Sequence, residues 1–157
     1  LVMCGNYTSA ICIIRSQFEA LTRAMWLFYA ASDERIDKTL STLNELSQNA
    51  DQKPSNADMI KALDGKAPPQ AVSMISEFRN VQWGPLNSYI HGGIHALQRH
   101  ATGYPEVLIE QIIKSSNGLL AMTTMMAAIL TGNVLITKDI AAIQRRHADC
   151  LPEALPH

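Results

Sequence analysis

Arg15-Ser-Gln-Phe-Glu19-Ala-Leu-Thr-Arg23-Ala-Met-Trp26 is the stretch whose reading decides the fold. It lies in a longer segment, residues 1–32, where Arg15, Glu19 and Arg23 are the only charged residues. Positions i, i+4 and i+8 fall on one line along a helix, at about 100° per residue. Ile13, Ala20, Ala24, Leu27 and Phe28 fall on the far side. A helix that is apolar nearly all round is expected to be buried. A buried charge must then be paired or open onto a wet cleft. The expectation is a long central helix, from about Val2 to Ala31, carrying a buried ionic line.

The rest of the composition agrees with a core-rich helical protein. The chain has 157 residues, 47% of them hydrophobic and 17% charged. That length fits a single helical domain over residues 1–157, large enough to bury roughly 70% of its unfolded surface. Such a low share of charge leaves apolar surface for a second subunit, so a homo-oligomer is expected. The net charge of −1 excludes a strongly basic nucleic-acid-binding tail but leaves small basic patches. The three cysteines form no C-x-x-C pair and read as buried thiols in a reducing, cytoplasmic setting. The chain begins with Leu, which reads as a trimmed product or a fragment. No residue between Lys114 and Lys138 is charged. The apolar core of that run, Leu119–Leu130, is too short to span a bilayer, so it is expected to be a buried core helix and no membrane is expected as a partner.

Taken in order, the chain alternates helical patterns with breakers. After Asp33 or Ser32, the residues Ile36, Leu40, Leu43 and Leu46 make one apolar stripe, and a loop follows over Asn49–Pro54. Ser55 with Asp58 three residues on reads as a capping-box variant, and Gly65 as the stop. Pro68-Pro69 opens a helix to about Trp83, and Gly84-Pro85 is expected to break it. A helix from Leu86 to His100, softened by Gly92-Gly93, is expected next. Pro105 starts a long helix ending near Gly132, with Gly118 placed for a kink or close packing. Thr137 is expected to cap the last helix, which reaches about Cys150, with Pro152 and Pro156 in a loose tail. Nothing alternates with period two. The class is all-α, a helical bundle of about six or seven helices.

A second polar line lies on the expected helix after Pro85: Asn87, His91, His95 and Gln98. His91 and His95 have the i, i+4 spacing of zinc-binding helices, but Gly92 stands where H-E-x-x-H needs its glutamate and no third ligand is evident. No metal and no cofactor are expected. Nucleophile elbows and phosphate loops are absent from the sequence. Acid–base chemistry fits better. A histidine exchanges protons near neutral pH, and an arginine stabilises charge on a phosphoryl oxygen. Arg15, Glu19 and His91 suffice for phosphodiester cleavage if the two polar lines face each other, with Arg23, Asn87 and His95 as further binding groups. The alternative is that Arg15, Glu19 and Arg23 form a structural ion network. Arg99, Arg145, Arg146 and His147 read as a solvated basic face.

Arg15-Ser-x-Phe-Glu19-Ala-x-x-Arg23-x-x-Trp26, followed by Leu86-Asn-Ser-Tyr-x-His91-Gly-Gly93, resembles an uncharacterised bacterial helical domain family. That family is similar to the HEPN domains and the AbiV-like phage-resistance proteins. The resemblance covers the chain from the first helix to the one ending at Gly132. It implies an HEPN-like α-helical bundle, a homodimer, and metal-independent RNA cleavage of the toxin or phage-defence type by an arginine and a histidine close in sequence. The implied partners are RNA and an antitoxin or other protein. The chain departs from the HEPN spacing, because the nearest arginine before His91 is Arg79 and Asn87 stands in between. Three functions follow as alternatives: an endoribonuclease using Arg15, Glu19 and His91, a non-catalytic dimerisation or docking module, and a pocket for a small anion at Arg15 and Arg23.

Overall fold

The computed structural model describes residues 1–40 and 54–153, with residues 38 and 40 described by backbone alone. Leu43 and Leu46 of the expected stripe, residues 49–53 of the expected loop, and Pro156 lie outside the described residues. The described residues form seven α-helices and no strand, so the class is all-α, a helical bundle. The helices are α1 (Tyr7–Tyr29), α2 (Asp33–Leu40), α3 (Asn56–Ala62), α4 (Pro69–Ile90), α5 (Ile94–Thr102), α6 (Glu106–Leu130) and α7 (Val134–Arg146). By internal contacts the chain divides into two units, Leu1–Leu21 with Asn80–His157, and Thr22–Arg79.

The first unit is built on the N-terminal part of α1, the end of α4, and α5 to α7. Ile11, Ile14, Phe18, Leu86, Ile112 and Leu119 are buried in it. On α1 the buried positions recur at three- and four-residue steps, the period of one helix face. This corrects the expected side. Ile13 and Phe28, read as the covered far side, are exposed, as are Ala20 and Ala24. The charged line lies instead at the edge of the buried face, because Arg15 has partners on α4, described below. The helix also starts later than expected. Val2–Cys4 is a 3-10 turn closed by Gly5 at φ 73°, and the first α-helical bond of α1 is accepted by the Asn6 carbonyl, from Ala10 at 3.0 Å.

Two expected boundaries moved for local reasons. Gly84-Pro85 does not break the chain, and α4 runs through it to Ile90. Pro85 removes one hydrogen bond, to the carbonyl four residues back at Val81. Val81 is exposed, so water can satisfy that carbonyl. The break falls instead at His91-Gly92-Gly93. Gly92 adopts φ 63°, and the Gly93 amide donates to the Ser88 carbonyl at 2.6 Å, the six-to-one bond of a Schellman ending. A Cβ on Gly93 would meet the Ser88 Oγ at 2.6 Å. The glycines therefore serve this reversal, not a helix running from Leu86 to His100.

At the other end of the unit, Gly118 on α6 lets Pro152 approach. A Cβ there would meet the proline ring at 2.9 Å. α7 begins one turn earlier than expected, capped by Asn133, whose Oδ1 accepts from the Leu135 amide at 2.9 Å. Thr137 instead donates its hydroxyl to the Val134 carbonyl at 2.8 Å. The charge-free part of α6 is not fully buried either: Leu119, Met126 and Ala128 are covered, while Leu120 and Leu130 face solvent. No described helix is long and apolar enough to cross a membrane.

In the second unit Thr22, Met25, Trp26, Met59, Ile60, Leu63 and Ile75 are buried. The Ser55 box forms as the sequence indicates. The Ser55 Oγ accepts from the Asp58 amide at 3.2 Å, and the Ser55 amide donates to the Asp58 Oδ2 at 3.3 Å. The Ser55 hydroxyl and then its amide hold the Asp58 carboxyl below its ordinary value of 3.8. A depressed folded-state value stabilises above the unfolded value and is lost as pH falls through the folded one. Wild-type stability should therefore fall more steeply below about pH 3.8 than that of Asp58→Asn, in urea unfolding at pH 5, 3.5 and 2.5. Parallel pH dependences would show that the box contributes nothing.

Candidate functional site

Arg15 is half-buried at the edge of the covered face of α1, and α4 supplies the groups around it. Trp83 and Asn87 are four residues apart on α4, so they project from one face of that helix. The Arg15 guanidinium lies over the Trp83 ring, 4.6 Å from its centre. The far side of the clamp is aromatic too, since Phe18 meets the Trp83 ring edge-on at 6.1 Å and 61°. Arg15 Nη1 donates to the Asn87 Oδ1, and Arg15 Nε donates to the Glu19 Oε1 at 2.9 Å. Nη2 has no hydrogen-bond acceptor among the described residues. The two polar lines read from the sequence therefore meet at Arg15 and Asn87.

The rest of the expected site is distributed differently. His91 follows Asn87 by one turn, with its amide bonded to the Asn87 carbonyl at 3.0 Å, and it is exposed in the turn after α4. His95 is on α5, past the glycine reversal, so the expected line Asn87-His91-His95-Gln98 is broken in two. The Tyr89 and His95 rings lie 6.5 Å apart. Arg23 is exposed, on the part of α1 that belongs to the second unit. The ion line expected to be buried is also partly wet. The Arg15 side chain is 16% exposed and that of Glu19 41%. Among the described residues, no three His, Cys, Asp or Glu side chains converge as metal ligands.

The sequence reading missed two features. Trp83 was a helix end rather than a stacking partner, although its spacing from Asn87 was visible. The other feature is a hydroxyl network that joins α1 to the turn before α6. Thr8 Oγ1 lies 2.6 Å from the Tyr104 hydroxyl and 3.3 Å from the His100 Nε2. The Tyr7 and Tyr104 rings are 5.0 Å apart. Burial pushes the Tyr89 phenol above its ordinary value; Tyr104 pushes it the same way, and Arg99 pulls it back. Thr8 and Tyr104 are 96 residues apart, and no spacing rule links them. A shallow apolar cleft beside the clamp, lined by Ile14, Pro85, Leu86, Tyr89, Leu108 and Ile112 among others, includes neither Arg15 nor His91.

One protein family matches residues 1–153: DUF6988, a family of unknown function. The chain belongs to this family. No curated protein and no solved structure matches it. The DUF6988 description carries no activity, so the chemistry of this member is argued from its own side chains.

The clamp sets an expectation for stability. A half-wet ion pair contributes little, because solvent already screens both charges. Glu19→Ala should cost about 1 kcal/mol rather than the 3–5 kcal/mol of a fully desolvated pair. Trp83→Ala should cost about 3 kcal/mol, since it removes a packed ring and the surface on which Arg15 stacks. Urea unfolding of both variants checks the order, and a larger loss for Glu19→Ala than for Trp83→Ala would reverse it.

Proposed function

We propose that this chain is an HEPN-like helical domain that cleaves RNA without a metal ion, with Arg15, Glu19, Asn87 and His91 as its site. The observation that carries the reading is the Arg15–Asn87 bond, which brings together two motif stretches 72 residues apart. Arg15 is held by two hydrogen bonds and a ring face, so its charge is fixed before any ligand arrives. A preorganised cation of this kind stabilises developing phosphoryl charge at no cost of reorganisation. His91 stands one turn from Asn87, exposed and free to meet a substrate.

In this reading the neutral His91 imidazole takes the proton from a ribose 2′-hydroxyl. The 2′-oxygen forms a bond to the adjacent phosphorus, and the bond from phosphorus to the 5′-oxygen breaks. The leaving oxygen takes its proton from water, leaving a 2′,3′-cyclic phosphate and a 5′-hydroxyl. Arg15 steadies the charge on the non-bridging oxygens through its remaining N–H groups. The chemistry suits a toxin or phage-defence role, with an antitoxin or other regulating protein as partner.

A second reading is supported by the same clamp. Glu19 and Trp83 already meet the Arg15 charge, as they would in a purely structural pin. The chain would then be a non-catalytic helical module. Cleavage of a labelled single-stranded RNA in excess EDTA separates the two. The nuclease reading expects His91→Ala to lower the rate by about 10²–10⁴ with little change in Tm. Equal rates for the two proteins, or cleavage by neither, would leave the structural module.

A further inference from the structure

α5 is nine residues long, and Ala96 is the one of them that is buried. Apart from the half-buried Arg99, the others are exposed. A helix of that length is marginal in water by itself, so its order depends on what ties it down. A helix settled on a core turns its apolar side inward. α5 does the reverse, since Ile94 and Leu97 face solvent. Segments with so little buried carbon open more readily than the core around them.

The two turns that bracket α5 are fixed to longer helices. Before it, the Gly93 amide is bonded to the Ser88 carbonyl of α4, and Gly92 is left-handed. After it, Gly103 adopts φ 84° and donates its amide to the Arg99 carbonyl at 2.9 Å. Just beyond Gly103, the Tyr104 hydroxyl is bonded to Thr8 of α1 and its ring packs against Tyr7. Each turn thus carries a glycine that can absorb a large backbone rotation. Between the turns, α5 meets the unit through polar groups. The His95 amide donates to the Ser88 Oγ at 3.1 Å, and the His100 Nε2 lies 3.3 Å from the Thr8 Oγ1. Tyr89 is buried beside it, its ring 6.5 Å from that of His95. The same Tyr89 lines the apolar cleft with Ile14, Leu86, Leu108 and Ile112.

We propose that α5 is a strap. It swings out as a unit between Gly92-Gly93 and Gly103 while α1, α4 and α6 stay folded, and its release bares Tyr89 and widens the cleft on that side. The ties at Ser88 and Thr8 hold it closed, and the glycine turns let it move without unwinding its neighbours. His91 stays behind, because its amide is bonded to the Asn87 carbonyl on the α4 side of the hinge. The strap therefore does not rest on the Arg15 site and stands or falls separately.

A thiol placed under the strap detects the opening. Ala96→Cys is made in a background with Cys4, Cys12 and Cys150 replaced by serine, and Ala128→Cys, at a buried position of α6, serves for comparison. Both are labelled with a maleimide under native conditions, and each rate is divided by that of the same chain in urea. Position 96 should react at least about tenfold faster than position 128, as a local opening does relative to a core helix. Ser88→Ala and His100→Ala should each raise the rate at position 96 by about fivefold, the effect of one lost hydrogen bond, and leave position 128 unchanged. Hydrogen exchange of the unmodified chain gives a second measurement free of any substitution. The amides of residues 97–102 should exchange faster than those of α6 and with a weaker dependence on urea. Equal protection at the two positions, tie variants that shift both alike, or α5 amides that exchange together with the core would overturn the strap. Nitration by tetranitromethane, mapped by mass spectrometry, follows Tyr89. It should rise in Ser88→Ala, and a Tyr89 that stays protected while position 96 is released would refute the baring of the cleft.

Discussion

The contact on which the first unit depends is a cation held between a ring and two polar side chains. Arg15 cannot lose its proton, so wherever α1 is placed its charge has to be met. α4 meets it with the Trp83 face and the Asn87 carbonyl, and α1 itself adds Glu19 one turn on. A guanidinium over an indole contributes roughly 0.5–2 kcal/mol, the larger figure where water is excluded. The geometric consequence matters as much as the energy. The planar fork fixes both the rotation of α1 and its position along α4, because a slip of one residue would carry Asn87 away from Nη1. The apolar packing of Phe18, Leu86 and Leu119 is less directional and would tolerate small slips.

The same clamp explains how far the sequence could be read. Spacing within one helix was legible: Arg15 and Glu19 pair as i and i+4 residues do, Ser55 and Asp58 close their box, and Pro105 opens α6. Which side of α1 would be covered was not legible. The ionic line was expected to be buried, with Ile13 and Phe28 covered on the far side, yet partners for Arg15 lay on another helix and Ile13 and Phe28 turned outward. Local breakers were ambiguous for a similar reason. Gly84-Pro85 looked like the stronger stop, but an exposed Val81 can give up one hydrogen bond to water. His91-Gly92-Gly93 looked like a softened helix. A left-handed glycine followed by one pressed against Ser88 makes a cleaner ending than proline does.

That ending also decides what the site can be. Had α4 continued, His91 and His95 would have shared one face, with the spacing of a metal pair. The reversal puts His95 on α5 and leaves His91 alone at the rim, one turn from Asn87. The Thr8–Tyr104 bond sits on the other flank of α5 and ties the start of α1 to the turn before α6. Its tie holds α5 in place at both ends, together with the Ser88 Oγ that accepts from the His95 amide at 3.1 Å.

The hydrophobic surplus of the sequence remains to be placed. If 47% of the residues are apolar and only 17% are charged, a chain of this length cannot hide all its apolar surface. What counts is whether the remainder is scattered or contiguous, since single exposed leucines are ordinary and a stripe is not. On α1 the outward residues are Ser9, Ser16, Ala20 and Ala24, with Ile13, Arg23 and Phe28 set singly among them. On α6 and α7 Leu120, Leu130, Val134 and Leu135 are exposed within a run, Ser115 to Thr137, that holds no charged residue. Soluble helices usually break such a run with lysine or glutamate at little cost in stability. On α6 this uncharged run lies on a helix whose other face is packed through Ile112, Leu119, Met126 and Ala128.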